Sequence, residues 1–142
     1  MTSSARMKRS GSATNAALTR SQKLTRAEVA AQLELLYPSL AAVEGGFATT
    51  DNVEILGAYV QIHYALVKDG RGTAQPQAVN DAATAIKTVW DIDQRPRKTA
   101  TIKEIALLRE VFSLYADILQ EITRAQLLKA IASSKRVKLK ES

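Results

Sequence analysis

The chain has 142 residues, 46% of them hydrophobic and 24% charged, which is enough to bury the core of one soluble domain without covalent cross-links. It contains no cysteine, which excludes disulfide bonds, thiolate metal sites and a cysteine nucleophile. No run of about 18 apolar residues is present, so we predict no membrane-spanning segment and no membrane partner.

Charge is distributed unevenly along the chain, whose formal net charge is +6. Residues 1–26 contain six bases and no acid, and residues 124–142 contain six bases and one acid. Residues 27–123 contain eight bases and thirteen acids. A mildly acidic body with two basic ends is typical of a protein that touches a polyanion or an acidic partner through those ends.

The composition of the two ends predicts flexible arms around one folded domain. Residues 1–23 are rich in Ser, Thr, Ala, Gly and basic residues, with too few large apolar side chains to offset the entropy lost on ordering. Residues 134–142 are predicted to form a similar basic tail. A folded domain over residues 24–133 remains.

The first predicted helix begins at a capping box, in which the Thr25 hydroxyl and the Glu28 carboxylate each accept a backbone N–H of the first turn. Pro38 predicts a kink or a short second piece that starts there, and Gly45-Gly46 predicts the end. One apolar stripe runs along this helix. It consists of Val29, Leu33, Leu36, Leu40 and Val43.

The second predicted helix begins near Asp51, with Glu54 at the third position, and runs to Lys68. Its apolar residues lie on two faces, which predicts a helix that is covered on both sides. The stretch 68–73 resembles a phosphate-binding loop, but it lacks the preceding strand and the Gly-Lys-Ser/Thr sequence. It therefore indicates a helix end followed by a turn. Pro76 predicts the first turn of a third helix, over about 77–92.

Two further capping boxes mark the last part of the domain, Thr101 with Glu104 and Thr123 with Gln126. The second box predicts a break near Thr123, with one straight helix over 102–133 as the alternative. The helix that begins after Thr101 again has two apolar faces, so helices two and four are the predicted buried pair. We predict an all-α fold, a four- to five-helix bundle with basic arms. Periodicity leaves open whether those faces are covered within one chain or across a homodimer.

Candidate catalytic and metal-binding residues are few. His63 is the only histidine, and one imidazole without cysteine or an acidic cluster cannot assemble a metal site, which favours a packing or surface role. Asp91 and Asp93 supply too few oxygens for a calcium loop, and we expect one of them to accept loop hydrogen bonds or to pair with Arg95 or Arg97. We therefore predict a non-enzymatic protein with no metal site and no cofactor.

Two clusters of cations are candidate contacts to phosphate. The loop over residues 95–98 precedes the fourth helix, where the backbone amides of Thr101 and Ile102 could add to its charge; the alternative is a solvated loop neutralised by Asp91 and Asp93. The tail alternates basic and apolar residues, with a solubilising role as the alternative. The predicted phosphate contacts, with those of the N-terminal arm, are Arg6, Lys8, Arg9, Arg95, Arg97, Lys98, Lys135, Arg136, Lys138 and Lys140.

Several loosely defined motifs, together with their spacing, carry a resemblance to a known protein family. They are Leu24-Thr25-x-x-Glu28-Val29-Ala30, Gly45, the segment from Leu56 through Val60 with Ile62 and Ala65, Gly70, an Ala-rich helix to Ile86, the loop over 91–101, and the segment 120–130. Over about residues 24–135 the chain resembles a family of short helical proteins from bacterial plasmids, integrative elements and phages, often labelled Fis-like transcriptional regulators. The resemblance implies an accessory protein of a mobile element in a bacterial cytoplasm.

A Fis-like module would end in a helix-turn-helix whose second helix carries several polar residues that read bases. Here the last predicted helix, 124–133, presents Arg124, Gln126 and Lys129 together with apolar residues such as Leu127 and Leu128. This composition favours contacts to phosphate over readout of base sequence.

The leading hypothesis is a DNA-associated accessory or regulatory protein that contacts phosphates through its arms and the 95–98 loop. Double-stranded DNA is the expected nucleic acid, because few aromatic residues accompany the basic ones. The alternative is an inhibitor or adaptor that docks on an acidic protein surface, one that normally binds nucleic acid or mimics it, with Tyr37 or Leu35 as the apolar anchor. A structural component of a phage particle is a third possibility.

Overall fold

The computed structural model of the protein describes residues 21–90 and 100–136, with the backbone alone for 88–90 and 136. These residues form five α-helices: α1 (Arg26–Gly45), α2 (Thr50–Lys68), α3 (Pro76–Trp90), α4 (Ile102–Leu119) and α5 (Arg124–Arg136). Within this part of the chain, strand-like pairing is limited to an isolated bridge between Lys23 and Thr123. The predicted all-α bundle is confirmed. Most of both predicted arms and the 95–98 loop lie outside the described residues.

The capping boxes set the starts of the helices. At α1 the Thr25 N–H donates to Glu28 Oε1 at 2.8 Å, and the Glu28 N–H donates to Thr25 Oγ1 at 3.1 Å. The box of Thr101 with Glu104 has the same two distances at α4. These predictions are confirmed, and the third box, at α5, is confirmed as well.

The helix α2 begins close to the predicted Asp51, but its capping residue lies two positions earlier than Glu54 at the third position implies. Thr49 caps this helix, and its N–H donates to the Asn52 side-chain oxygen at 2.9 Å. The Asn52 side-chain amide also donates to the hydroxyl of buried Ser39 in α1, at 3.2 Å. This contact between α1 and α2 gives Asn52 a role that its place in the sequence does not reveal, because a capping box normally has Glu or Gln at this position.

The helix α1 continues through Pro38, and no separate second piece begins there. Pro38 has no backbone N–H, so the carbonyl of Glu34 receives no hydrogen bond from it. Both residues are exposed, and water can take the place of the missing donor. The opposite side buries Leu36, Leu40 and Val43, as the stripe predicts. The helix ends at Gly45 and is capped by Gly46, whose φ of 79° is left-handed.

The core lies between α2 and α4, each of which is covered by its neighbours. The helix α2 packs against α1, α3 and α5, and α4 packs against α3 and α1. Side chains of α2 and α4 also meet directly, with the Tyr115 ring centroid 5.6 Å from that of Tyr59 and 5.5 Å from that of His63. The two apolar faces of α2 and α4 are therefore covered within one chain. Ile102 departs from the predicted stripe because it starts α4 and is 87% exposed.

The helices α4 and α5 are separated by a turn over residues 120–123, so the straight helix over 102–133 is wrong. The Thr123 N–H donates to Gln126 Oε1 at 2.9 Å, which caps α5. From there α5 packs mainly on α2. It also runs to Arg136, past the predicted start of the tail, and buries Ser134, whose hydroxyl donates to the carbonyl of Ile131 at 2.8 Å.

Two ion pairs join α1 to the helices that follow it later in the chain. Near the start of α1, Glu28 accepts hydrogen bonds from Arg124 of α5 at 2.6 and 2.8 Å. Near its end, Glu44 accepts hydrogen bonds from Arg109 of α4 at 2.6 and 3.1 Å. Among the described helices, none is long and apolar enough to cross a membrane.

Candidate functional site

Two of the ten predicted phosphate contacts belong to the described part of the chain. Lys135 is exposed near the end of α5, and Arg136 is the last residue of that helix. Eight fall outside the described residues: Arg6, Lys8, Arg9, Arg95, Arg97, Lys98, Lys138 and Lys140. For these eight, the structure shows where the segments that carry them join the bundle.

The N-terminal and C-terminal basic segments both join the bundle at α5. The Arg124 N–H donates to the carbonyl of Gln22 at 3.0 Å, and Lys23 forms the bridge with Thr123. Residues 1–20 therefore precede a point beside the first turn of α5, and residues 137–142 follow its last residue directly. At a rise of about 1.5 Å per residue, these two attachment points lie about 20 Å apart.

The helix α5 contains four bases and no acid. Leu127 and Ala130 are buried, whereas the Lys129 side chain is 72% exposed and Lys135 is exposed. Lys23, beside the first turn, is exposed as well. We call the exposed side of α5, with Lys23, Lys129 and Lys135, the α5 surface.

Arg124 is held against α1 and does not extend from the α5 surface. Its guanidinium donates through Nε and Nη2 to the two carboxylate oxygens of Glu28. These hydrogen bonds, together with that from the Thr25 backbone N–H, lower the pKa of Glu28 to about 2. The pair joins the start of α5 to the start of α1, so Arg124 contributes to docking of the helix.

Among the described residues, Lys129 has one ionic contact, and it is a long one. Its Nζ lies 3.6 Å from Asp69 Oδ1, and Asp69 also lies 3.9 Å from Arg71 Nε. Exposed pairs of this kind contribute about 0–1 kcal/mol, so a phosphate could replace Asp69 at little cost. The α5 surface is therefore able to bind anions.

The described residues include as many basic as acidic side chains, so the net charge of +6 comes from residues 1–20, 91–99 and 137–142. Charge is distributed unevenly over the described bundle. The helix α1 contains three acidic residues and one basic residue, while the charged residues of α5 are all basic. The bundle thus presents its positive side where both terminal segments join it.

The start of α4, where the 95–98 loop was predicted to dock phosphate, already holds an anion. Glu104 Oε1 accepts the Thr101 N–H at 2.8 Å, so a phosphate would have to displace this carboxylate. The 95–98 segment also joins the bundle at the end of α4 that is farther from the turn into α5. With eighteen residues, α4 separates these two places by about 27 Å.

The turn between α4 and α5 has the length found in a helix-turn-helix, but α5 packs mainly on α2. Two of the three polar residues that the sequence offers for base readout are held within the chain. Arg124 binds Glu28 and Gln126 caps α5, while Lys129 makes the long contact with Asp69. The α5 surface therefore suits contacts to phosphate better than base readout.

His63 lies in the core, where its ring is fully buried. Burial lowers the pKa of its imidazole to about 4, so the ring is neutral at neutral pH and has no access to a substrate. Within residues 21–90 and 100–136, no group of three or more His, Cys, Asp or Glu side chains could hold a metal ion.

Comparisons with protein-family models, curated proteins and solved structures found no match to this chain. Sequence reasoning left Lys23 out of the predicted phosphate contacts and considered Lys129 only in the composition of the last predicted helix. What brings them together is the docking of residues 22–23 beside the first turn of α5.

Proposed function

We propose that the protein is a non-enzymatic DNA-associated accessory protein that binds duplex phosphates through the α5 surface and the basic segments at both of its ends. The observation that carries the proposal is the convergence of charge on α5, which contains bases alone and joins both segments. The resemblance noted above adds the expectation that it serves a plasmid or phage in a bacterial cytoplasm.

The length of the α5 surface matches a short stretch of duplex. Double-stranded DNA carries one phosphate charge per about 1.7 Å of its axis, so about 20 Å of duplex presents roughly twelve charges. Cations spread over this length, with basic segments at both ends, suit binding that depends on charge and little on sequence.

A salt series tests the proposal. The full chain, purified and nuclease-treated, is titrated with a fluorescent duplex of random sequence at several salt concentrations. Six phosphate contacts predict a slope of log affinity against log salt of about −5, since each contributes about −0.9. Absence of binding at low salt would contradict the proposal.

Matched substitutions locate the contacts. Replacing Lys135, Arg136 and Lys138 together by Gln should weaken binding to every sequence similarly and make the slope shallower by about 2.7. Lys135→Gln alone should change it by about 0.9, while Lys87→Gln, at an exposed lysine of α3, should leave it unchanged. Equal effects of the last two would remove α5 from the site.

A second candidate is an adaptor that docks on an acidic protein surface, favoured by the exposed apolar residues Leu35, Tyr37 and Phe47. Leu35 and Tyr37 flank buried Leu36 on opposite sides of α1, so each would anchor a different partner surface. An adaptor should leave purification free of nucleic acid and capture a protein. Leu35→Ala or Tyr37→Ala should abolish that capture without changing DNA binding.

A further inference from the structure

A groove of about 440 Å³ lies between α2, α3 and α5, within the size range of about 300–1,000 Å³ that is typical of small-molecule sites. Each of the three helices contributes a small residue to its lining, Ala65 from α2, Ala83 from α3 and Ala130 from α5. Buried Leu66 and Val79 line it as well. Short side chains at three facing positions leave a space that larger ones would fill, and the lining is mainly apolar.

Positive charge surrounds this groove at the end of α2. Lys68 and Lys129 both line it, together with Asp69. Asp69 lies 3.6 Å from Lys129 Nζ and 3.9 Å from Arg71 Nε, so one carboxylate is shared between two cations. Lys68 Nζ lies 5.8 Å from the centroid of the Tyr64 ring, over an aromatic wall of the same groove. Two cations in the lining, with Arg71 outside it beside the one carboxylate, favour an anionic group at this position.

We propose that the groove binds a small amphipathic organic anion, with its apolar body against Leu66 and Val79 and its charged group beside Lys68 and Lys129. An apolar groove with a cationic edge is complementary to an apolar molecule that carries a negative charge. This complementarity favours an amphipathic anion over a neutral or cationic ligand. Lys129 also belongs to the α5 surface, but the groove does not depend on DNA binding. Substitutions that fill the groove without changing any charge keep the two proposals separable.

Two fluorescent probes of similar size test the proposal on the full chain. The anionic probe 8-anilinonaphthalene-1-sulfonate should bind at one site per chain, and more tightly than uncharged N-phenyl-1-naphthylamine. Ala83→Leu and Ser133→Leu, from two walls of the groove, should each weaken binding of both probes about tenfold or more. Ser133 is exposed, so its variant remains folded even if Ala83→Leu disturbs packing. Ala106→Leu, at an exposed position of α4, a helix that contributes no residue to the groove lining, is the matched control.

The charged edge is tested with a pair of double variants. Lys68→Gln combined with Lys129→Gln should weaken binding of the anionic probe about fivefold and change binding of the neutral probe by less than about twofold. Lys87→Gln combined with Lys103→Gln should leave the affinity for both probes unchanged. The proposal is overturned if neither probe binds, if both filling variants bind as the unaltered protein does, or if the two double variants act alike. Loss of DNA binding alone would not alter these results.

Discussion

His63 and Tyr115 place three polar atoms in the middle of the core, His63 Nδ1, His63 Nε2 and the Tyr115 hydroxyl oxygen, and none has a hydrogen-bond partner among the described residues. Buried polar groups are normally paired, so these atoms cost stability that the surrounding aromatic contacts must offset. Burial also favours the neutral forms. It lowers the pKa of His63 and raises that of Tyr115.

The buried histidine makes folding sensitive to mild acid. Its pKa is about 4 in the folded chain and about 6.5 in the unfolded chain, so the unfolded state binds more protons between these values. Stability is then complete above pH 6.5 and falls as the pH drops toward 4. We expect the free energy of unfolding in urea to fall by about 2 kcal/mol between pH 7.5 and pH 5.

The variant His63→Leu should remove this dependence, because the chain has no other histidine and its carboxylates stay largely ionised at pH 5. Its unfolding free energy should be nearly the same at pH 7.5 and pH 5. A fall as large as that of the unaltered protein would show that another group titrates.

A comparison of Glu28 with Glu104 can measure how much an ion pair between helices contributes to stability. Both occupy the third position of a Thr-x-x-Glu capping box, but Glu28 alone of the two also pairs with an arginine, Arg124, within the described part of the chain. Gln preserves the capping box and removes the charge. Glu28→Gln should therefore lower the urea midpoint at pH 7 more than Glu104→Gln does.

The difference between the urea midpoints of the two variants should depend on pH. The pKa of Glu28, which is about 2 in the folded protein and ordinarily about 4.5, sets the pH range. The stabilisation by the ionised carboxylate is present above pH 4.5 and is lost as the pH falls toward 2. The two variants should differ less in acid and in 1 M salt. Equal midpoints at pH 7 would mean that the Arg124 pair contributes nothing to docking of α5.

At the scale of elements, the turn between α2 and α3 depends on two glycines with left-handed backbones, Gly70 with φ 82° and Gly72 with φ 78°. A Cβ at Gly70 would meet open space, while one at Gly72 would lie 2.6 Å from Cγ1 of buried Ile118. Gly70→Ala should cost about 1–2 kcal/mol from backbone strain alone. Gly72→Ala should cost clearly more, measured by urea unfolding, and equal costs would refute the close approach to α4.

The docking of α5 is tested by two adjacent leucines. Leu127 is 7% exposed, and Leu128 is 54% exposed. Leu127→Ala should lower the free energy of unfolding by about 2–3 kcal/mol through lost burial and a cavity, while Leu128→Ala should change it by less than about 0.5 kcal/mol. Similar effects in thermal or urea unfolding would contradict the orientation of α5 described here.

At the scale of the molecule, the bundle separates two places where basic segments join it. The N-terminal segment joins beside the first turn of α5, and residues 91–99 join the start of α4, about 27 Å away from the turn that leads into α5. A duplex that contacts both Lys23, beside that turn, and residues 91–99 would have to extend along the bundle. Lys23 and the cations of residues 95–98 should therefore act independently.

This independence can be measured by asking whether the effects of the substitutions on the binding free energy are additive. If duplex DNA binds as proposed, replacing Arg95, Arg97 and Lys98 by Gln and replacing Lys23 by Gln should change the binding free energy additively within about 0.5 kcal/mol. The measurement is the affinity of the triple variant, of Lys23→Gln and of the combined variant at one salt concentration. A larger coupling would indicate that both sets contact the same phosphates.

The sequence predicted the elements well where a local interaction defines them. The boxes at Thr25, Thr101 and Thr123 each involve residues three positions apart, and all three start helices where expected. Asn52 was missed because its second hydrogen bond goes to Ser39 of another helix. Ile102 follows the helical period but lies beyond the end of the core, and periodicity carries no information about where a core ends.

By itself the sequence determined the helical class, the helix ends made by local capping, the absence of cysteine chemistry and the location of charge along the chain. Each of these depends on composition or on residues a few positions apart. The tertiary structure decided that α5 turns onto α2, that Arg124 is held by Glu28 while Lys129 stays exposed, and that three alanines leave a groove. These features depend on residues far apart in the chain, and only packing of the helices brings them together.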